Sequence, residues 1–381
     1  MRTAVRESSK NSLSQSNKKI AIKFLLGDIS SRGGIERVSV SLANALSDNY
    51  DVEIISLYKT NQEPYFKLSK KINIHILNDG YEESMYNRRK KFIQGIIFDL
   101  KYINRKNKSL RKFIAYNDII ISCDTKMSLL AMLSGSKYII AIEHFEYDII
   151  NPVLRYVRKI IYKKISAVIT LTNEDVDKYS WLPKHKHKII PNIVEIPIPK
   201  EKKTLKTGKN VLAIGRFVEQ KGFDLLLSAW SKISTKGWSL IIVGDGPDKP
   251  LLEKFINDNE LNNVVLAPFT ENIGEYYEQA EIFVLSSRYE GLGMVLIEAL
   301  AYSLPCISFN CPAGPKTILS KDNGILVKAE NCEELSIAIK KLMNDENLRK
   351  LYSSKALFSI KEYTKEQVLK LWIETIEQIS K

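Results

Sequence analysis

The sequence predicts an α/β protein built from two doubly wound domains that face each other across a cleft. Short apolar runs alternate with helical patterns along the chain, which is the signature of βα units and parallel sheets. A length of 381 residues suits two domains of ordinary size, each with its own core. The alternation is interrupted at Val194–Lys209 (VEIPIPKEKKTLKTGK), where prolines and a dense set of lysines read as an interdomain linker.

Residues 1–18 are polar and basic and lack the apolar core of a secretory signal, so they read as a disordered tail. In residues 19–193, Ile20–Leu26 is a buried strand, Gly27–Gly34 a turn, Ile35–Leu46 a helix and Val52–Leu57 the next strand. Ile72–Leu77, Asp118–Ser122, Tyr138–Glu143, Ala167–Leu171 and Lys188–Pro191 continue the sheet. The pattern restarts in residues 210–360 with strands at Val211–Gly215, Ser239–Gly244, Val264–Phe269, Ile282–Ser286, Pro305–Phe309 and Gly324–Lys328. Helices are expected at Gly222–Lys232 and Pro250–Asn257, and from Cys332 to Lys381. Ligands of such sheets bind at the carboxyl ends of the strands.

The hydrophobic fraction of 44% and the charged fraction of 27% are those of a soluble globular protein. No apolar run approaches the roughly 20 residues that span a bilayer. Cys123, Cys306, Cys311 and Cys332 lack metal-type spacing and read as free thiols in a reducing cytoplasm. The net charge of +13 favours anionic partners. Asn87–Phe113 and Leu154–Lys164 mix basic and apolar residues at helical spacing, which suits an anionic membrane surface as well as ordinary surface helices.

Several stretches at strand ends carry chemistry. In Gly215-Arg216-Phe217-Val218-Glu219-Gln220-Lys221-Gly222, Arg216 and Lys221 converge where a phosphate would sit, a planar fork beside a point charge. They also read as two surface cations. Gly244 and Gly246, in VGDGP, permit a tight turn with close backbone approach to a ligand. In SSRYEGLGMVLIEALA, Gly291, Leu292 and Gly293 open a helix onto which Glu298 falls about two turns in, and Glu290 stands at its mouth. An ionised carboxylate buried alone is costly, so Glu298 meets either a cation as half of a structural ion pair or a ligand rich in hydroxyls. Glu290 is a helix cap or a second hydroxyl reader. Gly33-Gly34 at the first βα turn allows close contact with a ligand spanning the cleft and is not a dinucleotide fingerprint. His144 stands at a strand's carboxyl edge, where it holds a substrate group or is a satisfied loop histidine. His185 and His187 look like part of a solvated turn.

Taken together, these stretches resemble the retaining GT-B glycosyltransferases of glycosyltransferase family 4, whose two domains are Rossmann-like. The likeness covers nearly all of the chain after the tail and is strongest from Val211 to Val327. It is carried by GRFVEQKGFDLLLSAW, VGDGP, the pair Glu290 and Glu298 spaced as E-x7-E, PCISFNCPAGP and DNGILV, in that order. The resemblance implies a nucleotide-sugar donor site in the C-terminal domain, with Arg216 and Lys221 on the diphosphate and Gly215, Gly244 and Gly246 among the donor-binding residues. It implies Glu298 on the ribose hydroxyls, and Glu290 with Gly291, Leu292 and Gly293 on the donor sugar. Gly33 and Gly34 would lie near the diphosphate and acceptor. His144 would touch the donor sugar near its reactive carbon. Residues 361–381 would form a helix that crosses back to the N-terminal domain. The chain departs from the family pattern at Ser303 and Ile193, where glycine is usual, and at Thr317, where glutamate is frequent; the last bears on donor identity.

The expected function is transfer of a sugar, with retention, from a nucleotide-diphosphate donor to a lipid-linked or oligosaccharide acceptor in surface polysaccharide synthesis, such as capsule or lipopolysaccharide. Arg216, Lys221, Glu290 and His144 are the expected catalytic residues. A UDP-sugar is favoured over a GDP-sugar. No cofactor, metal or nucleic acid is expected, and the protein is expected at the cytoplasmic face of the membrane. A nucleotide-sugar 2-epimerase on the same architecture, and a non-enzymatic polyanion-binding protein, are the alternatives.

Overall fold

A computed structural model describes residues 21–78, 92–144, 147–150, 152–194 and 209–381; the side chains of residues 92–99, 149 and 153 fall outside the description. The tail, most of the proposed linker, and the first part of the basic run at Asn87 lie outside the described residues. The N-terminal half runs β1 (Ala21–Asp28), α1 (Gly34–Leu46), β2 (Asp51–Tyr58), β3 (Asn73–Ile76), α2 (Phe92–Leu110), β4 (Ile119–Ser122), α3 (Thr125–Ser134), β5 (Tyr138–Ile142), α4 (Pro152–Lys164), β6 (Ala167–Thr170) and β7 (His187–Ile189). The C-terminal half runs β8 (Asn210–Ile214), α5 (Phe223–Trp230), β9 (Ser239–Val243), α6 (Lys249–Asp258), β10 (Val264–Ala267), α7 (Ile273–Gln279), β11 (Ile282–Leu285) and α8 (Met294–Ala301). It continues with β12 (Cys306–Asn310), α9 (Pro315–Ile318), β13 (Gly324–Lys328), α10 (Cys332–Asn344), α11 (Glu346–Ser359) and α12 (Lys365–Ser380).

The strands form two parallel sheets, in the orders β3-β2-β1-β4-β5-β6-β7 and β10-β9-β8-β11-β12-β13. In each sheet the order reverses beside the first strand, β1 or β8. That is the switch point at which open α/β sheets bind ligands. Strand residues alternate between two apolar layers, as a sheet covered on both faces requires. Ile22, Phe24 and Leu26 pack on one side of β1 and Leu25 on the other. Leu212 of β8 faces one layer, while Val211 and Ala213 face the other. Val368, Trp372 and Ile376 of α12 join the layer that holds Val40 and Leu42 of α1. Lys188 also donates to Gln378 at 3.0 Å, so the last helix lies on the N-terminal domain.

Several local expectations change. β1 continues through Gly27 and Asp28, so the turn begins only at Ile29. His187 is not in a solvated turn. It lies in β7, 2.9 Å from the Thr170 hydroxyl and stacked on Tyr179, and burial lowers its pKa. The basic run at Leu154–Lys164 is not uniformly a solvated face. Arg158 is fully buried, pairs with Glu143 at 2.7 Å, and lies over the Tyr147 ring; Tyr162 donates to the same carboxylate. A charge at that depth persists only because its partner is buried with it.

Ser303 explains how α8 ends. Leu304 N donates to Ala299 O at 3.0 Å and Ser303 N to Leu300 O at 2.9 Å, the two bonds of a Schellman cap. This cap needs a left-handed residue, and Ser303 takes φ 57° where glycine is usual.

Candidate active site

The site is assembled on the carboxyl ends of β8, β9 and β11. The loops after β8 and β9 are fastened to each other: Gly215 N donates to Val243 O at 3.1 Å and Phe217 N to Asp245 O at 2.8 Å. Phe217 is buried against Phe223, which leaves the neighbouring Arg216 exposed. A Cβ on Gly244 would lie 1.9 Å from Gly215 O, and one on Gly246 would lie 2.3 Å from Phe217 O. Gly222 (φ 61°) would place a Cβ 2.1 Å from Ser286 O. The space beside these glycines is therefore filled by protein backbone. This packing locks the loops that carry Arg216 and Lys221.

That packing brings Lys221 to the end of β11. Its ammonium lies 2.7 Å from Glu290 Oε1, and the Ser287 hydroxyl donates to the same oxygen at 2.6 Å. Glu290 is 7% exposed, so its charge is answered inside the protein. Among the described residues no side chain pairs with Arg216. The site thus holds one compensated cation and one exposed, uncompensated cation, a combination suited to receiving an anion.

The entry to α8 serves the junction between domains. A Cβ on Gly291 would lie 2.1 Å from His144 O of the N-terminal half. Leu292 is buried, and a Cβ on Gly314 would lie 2.1 Å from its carbonyl oxygen. Gly293 takes φ 84°, a left-handed turn into the helix. Because α8 begins at Met294, Glu298 lies in its second turn, closer to the start than expected. Glu298 is 4% exposed; Oε2 accepts a hydrogen bond, while the buried Oε1 makes an ion pair and, among the described residues, no hydrogen bond. Arg37, from α1 of the other domain, reaches Oε1 at 2.7 Å, and the Tyr277 hydroxyl donates to Oε2 at 2.8 Å. Burial and the Glu298 charge together hold the Tyr277 phenol protonated.

On the N-terminal side, Gly33 precedes α1 and the Glu36 carboxylate closes over it. Gly34 has nothing within 4 Å of where a Cβ would stand, so among these glycines it leaves open space. His144 follows β5. Its backbone carbonyl faces Gly291, and the residue lines a small cavity with Ser39, Leu171, Asn192 and Trp372. Among the described residues nothing hydrogen-bonds to the buried Nε2 atom, and burial pushes the pKa down to about 4, so the ring is neutral at pH 7. The adjacent Glu143 holds the buried Arg158 and so fixes the strand end that carries His144. Glu174 crosses the cleft as well. Its Oε1 accepts from Gly314 N (3.3 Å), Thr317 N (3.1 Å) and Thr317 Oγ1 (2.9 Å). At Thr317, where the resemblance leads one to expect a glutamate, a carboxylate is supplied from the opposite domain. Among the described residues no group of three or more His, Cys, Asp or Glu side chains is placed to hold a metal ion.

The structure thus brings Lys221 and Glu290 into contact, sets Arg216 on the adjoining loop, and places His144 across the cleft beside Gly291. It separates Glu298 from Glu290 by giving each its own partner. Sequence reasoning missed Arg37, Tyr277, Ser287 and Glu174. Ser287 carries a weak signal, three residues before Glu290. The others are distant in sequence from what they touch.

A family model described as glycosyl transferases group 1 matches residues 195–357. An uncharacterized glycosyltransferase of Haemophilus influenzae is 31% identical over 365 residues, covering 92% of this chain and 98% of that protein. The amylovoran biosynthesis glycosyltransferase AmsD of Erwinia amylovora is 30% identical over 363 residues, covering 92% and 97%. A Campylobacter jejuni relative, 27% identical over 374 residues and covering 94% and 98%, is named as a GalNAc-alpha-(1->4)-GalNAc-alpha-(1->3)-diNAcBac-PP-undecaprenol alpha-1,4-N-acetyl-D-galactosaminyltransferase. The crystal structure of Anabaena HepE in complex with UDP-glucose superposes with a TM-score of 0.74 at 15% identity, covering 94% of this chain and 99% of that one, which shows a common fold. The chain belongs to the glycosyl transferases group 1 family and is a glycosyltransferase of the GT-B fold.

Proposed function

We propose that this enzyme moves a sugar, with retention, from a nucleotide-diphosphate donor to a lipid-linked glycan in surface polysaccharide synthesis. The observation that carries this is the pairing at the end of β8 and β11. Arg216 is exposed and, among the described residues, has no partner; it stands beside a Lys221–Glu290 pair at the mouth of α8. The diphosphate takes Arg216 and draws Lys221, the sugar hydroxyls take Glu290, and the ribose hydroxyls take Glu298. The cations stabilise the departing phosphate, which helps deprotonate the incoming hydroxyl on the same face of the sugar. His144 lines the donor-sugar side as a neutral group. A UDP-sugar is the favoured donor.

The acceptor sits on the N-terminal domain. A cavity of about 290 Å³ opens at the carboxyl ends of β1 and β2, lined by Asp28, Ile35, Glu36, Tyr58, Thr60 and Asp124 among others. Burial raises the pKa of both Glu36 and Asp124. Although the chain is basic, this opening is acidic, which suits hydroxyl donors of a sugar. Tyr156 (68% exposed) and Ile160 (44% exposed) project from α4 near the exposed Lys163 and Lys164, a face suited to the anionic cytoplasmic side of a membrane. The lipid-linked substrate in the name of the Campylobacter relative supports the same placement. Among the described residues no helix is long and apolar enough to cross a membrane, so contact would be peripheral.

The test is turnover of UDP- and GDP-sugars, read as release of the nucleoside diphosphate with and without an undecaprenyl-diphosphate glycan. Release from a UDP-sugar, faster with acceptor and lost in Glu290→Gln, is expected. No release from any donor contradicts the proposal. Flotation with liposomes that contain anionic lipid, and not with neutral ones, is expected for the membrane contact; equal behaviour on both contradicts it.

A further inference from the structure

We propose that Arg37 sets access to the donor site: it occupies Glu298 while the site is empty, and the nucleoside enters by replacing it. This rests on Glu298 reading the ribose hydroxyls.

Glu298 is 4% exposed, and an ionised carboxylate is an acceptor with no hydrogen to give. Tyr277 already donates to Oε2 at 2.8 Å. Among the described residues Oε1 makes no hydrogen bond, and it is shut off from solvent, with the Arg37 guanidinium 2.7 Å away as its ion-pair partner. A ribose hydroxyl therefore reaches this oxygen only when the guanidinium moves aside. Arg37 comes from the first turn of α1, in the opposite domain, and its side chain is 38% exposed, so it has solvent into which to withdraw. Glu298 cannot withdraw, because it lies in the second turn of a buried helix. The movable partner is the arginine. The pair also ties α1 to α8, so its exchange for ribose links donor binding to the way the two domains meet. Binding of a nucleoside is weakened by the fraction of molecules in which the pair is formed.

Calorimetric titration of the full-length protein with uridine and with UDP tests this, with guanosine and GDP run in parallel. Uridine carries no phosphate, so it isolates competition at Glu298 from any attraction between Arg37 and the diphosphate. Arg37→Met should bind the nucleoside about fivefold more tightly than wild type, the scale expected for a partly exposed ion pair. Arg37→Lys should fall between. Equal or weaker nucleoside binding by both Arg37→Met and Arg37→Lys overturns the proposal while UDP binding keeps the donor site intact. Failure of wild type to bind any nucleoside diphosphate instead overturns the donor reading, and this proposal with it.

Discussion

The Lys221 ammonium sits 2.7 Å from the Glu290 carboxylate, in a pair that joins the end of β8 to the mouth of α8. Both groups are mostly buried, at 18% and 8% side-chain exposure. The pair orients Glu290 before any substrate arrives and leaves Arg216 as the cation ready for an incoming anion.

Removing one partner therefore strands the other. Lys221→Met should lower stability by about 2 kcal/mol, because a buried carboxylate loses its cation. Glu290→Gln added to it should restore most of that loss, since no unpaired charge remains. Urea denaturation of the two single variants and the double variant measures the coupling; additive losses would contradict it.

Two glycines chosen for the same reason at the sequence level should behave oppositely. Gly291→Ala places a Cβ 2.1 Å from His144 O, a backbone atom that cannot yield, so the domains are pushed apart. Melting temperature and nucleotide binding should both fall. Gly34→Ala meets nothing within 4 Å and lies in the first turn of α1. Its melting temperature should hold or rise slightly, while sugar transfer slows about tenfold or more if a ligand uses that space. Thermal melting and transfer rates of the two variants decide between these outcomes.

Ser303 offers a stabilising change. It holds φ 57° to close the Schellman cap of α8, a conformation that costs an L-residue about 1–2 kcal/mol and glycine little. Ser303→Gly should raise stability by about 1 kcal/mol in denaturant titration, with transfer unchanged. A loss of stability would show that the serine side chain does something the backbone does not reveal.

Burial pushes the His144 pKa down from 6.5 to about 4. As pH falls through that window, the unfolded chain takes up a proton that the folded protein refuses. The stability gained by keeping the ring neutral is complete above 6.5 and is lost on acidification through 4. Wild type should therefore lose more stability than His144→Phe between pH 7 and pH 4. Parallel melting curves for the two proteins would contradict this.

Much of the fold was legible in the sequence because parallel strands buried on both faces read as apolar runs, and the runs at β1, β2, β8 and β12 stood almost where the strands lie. Within the site, Lys221 and Glu290 were legible as chemistry at strand ends. Their pairing was not, because the residues stand 69 positions apart and meet only when β8 and β11 become neighbours. Arg37 was hidden for a similar reason: its partner Glu298 belongs to the other domain. Gly244, Gly246 and Gly291 read as places of close approach, and that an added Cβ there would meet the protein's own backbone is visible only in the folded chain. Arg158 looked like one more cation on a basic helix face, and only Glu143 beneath it reveals an interior charge.

Nucleotide-dependent melting tests the central claim most directly. UDP should raise the melting temperature of wild type by several degrees, and Arg216→Ala, which removes an exposed side chain and leaves the fold alone, should lose that rise. The account is contradicted if neither UDP nor GDP stabilises wild type, or if Arg216→Ala keeps the full shift.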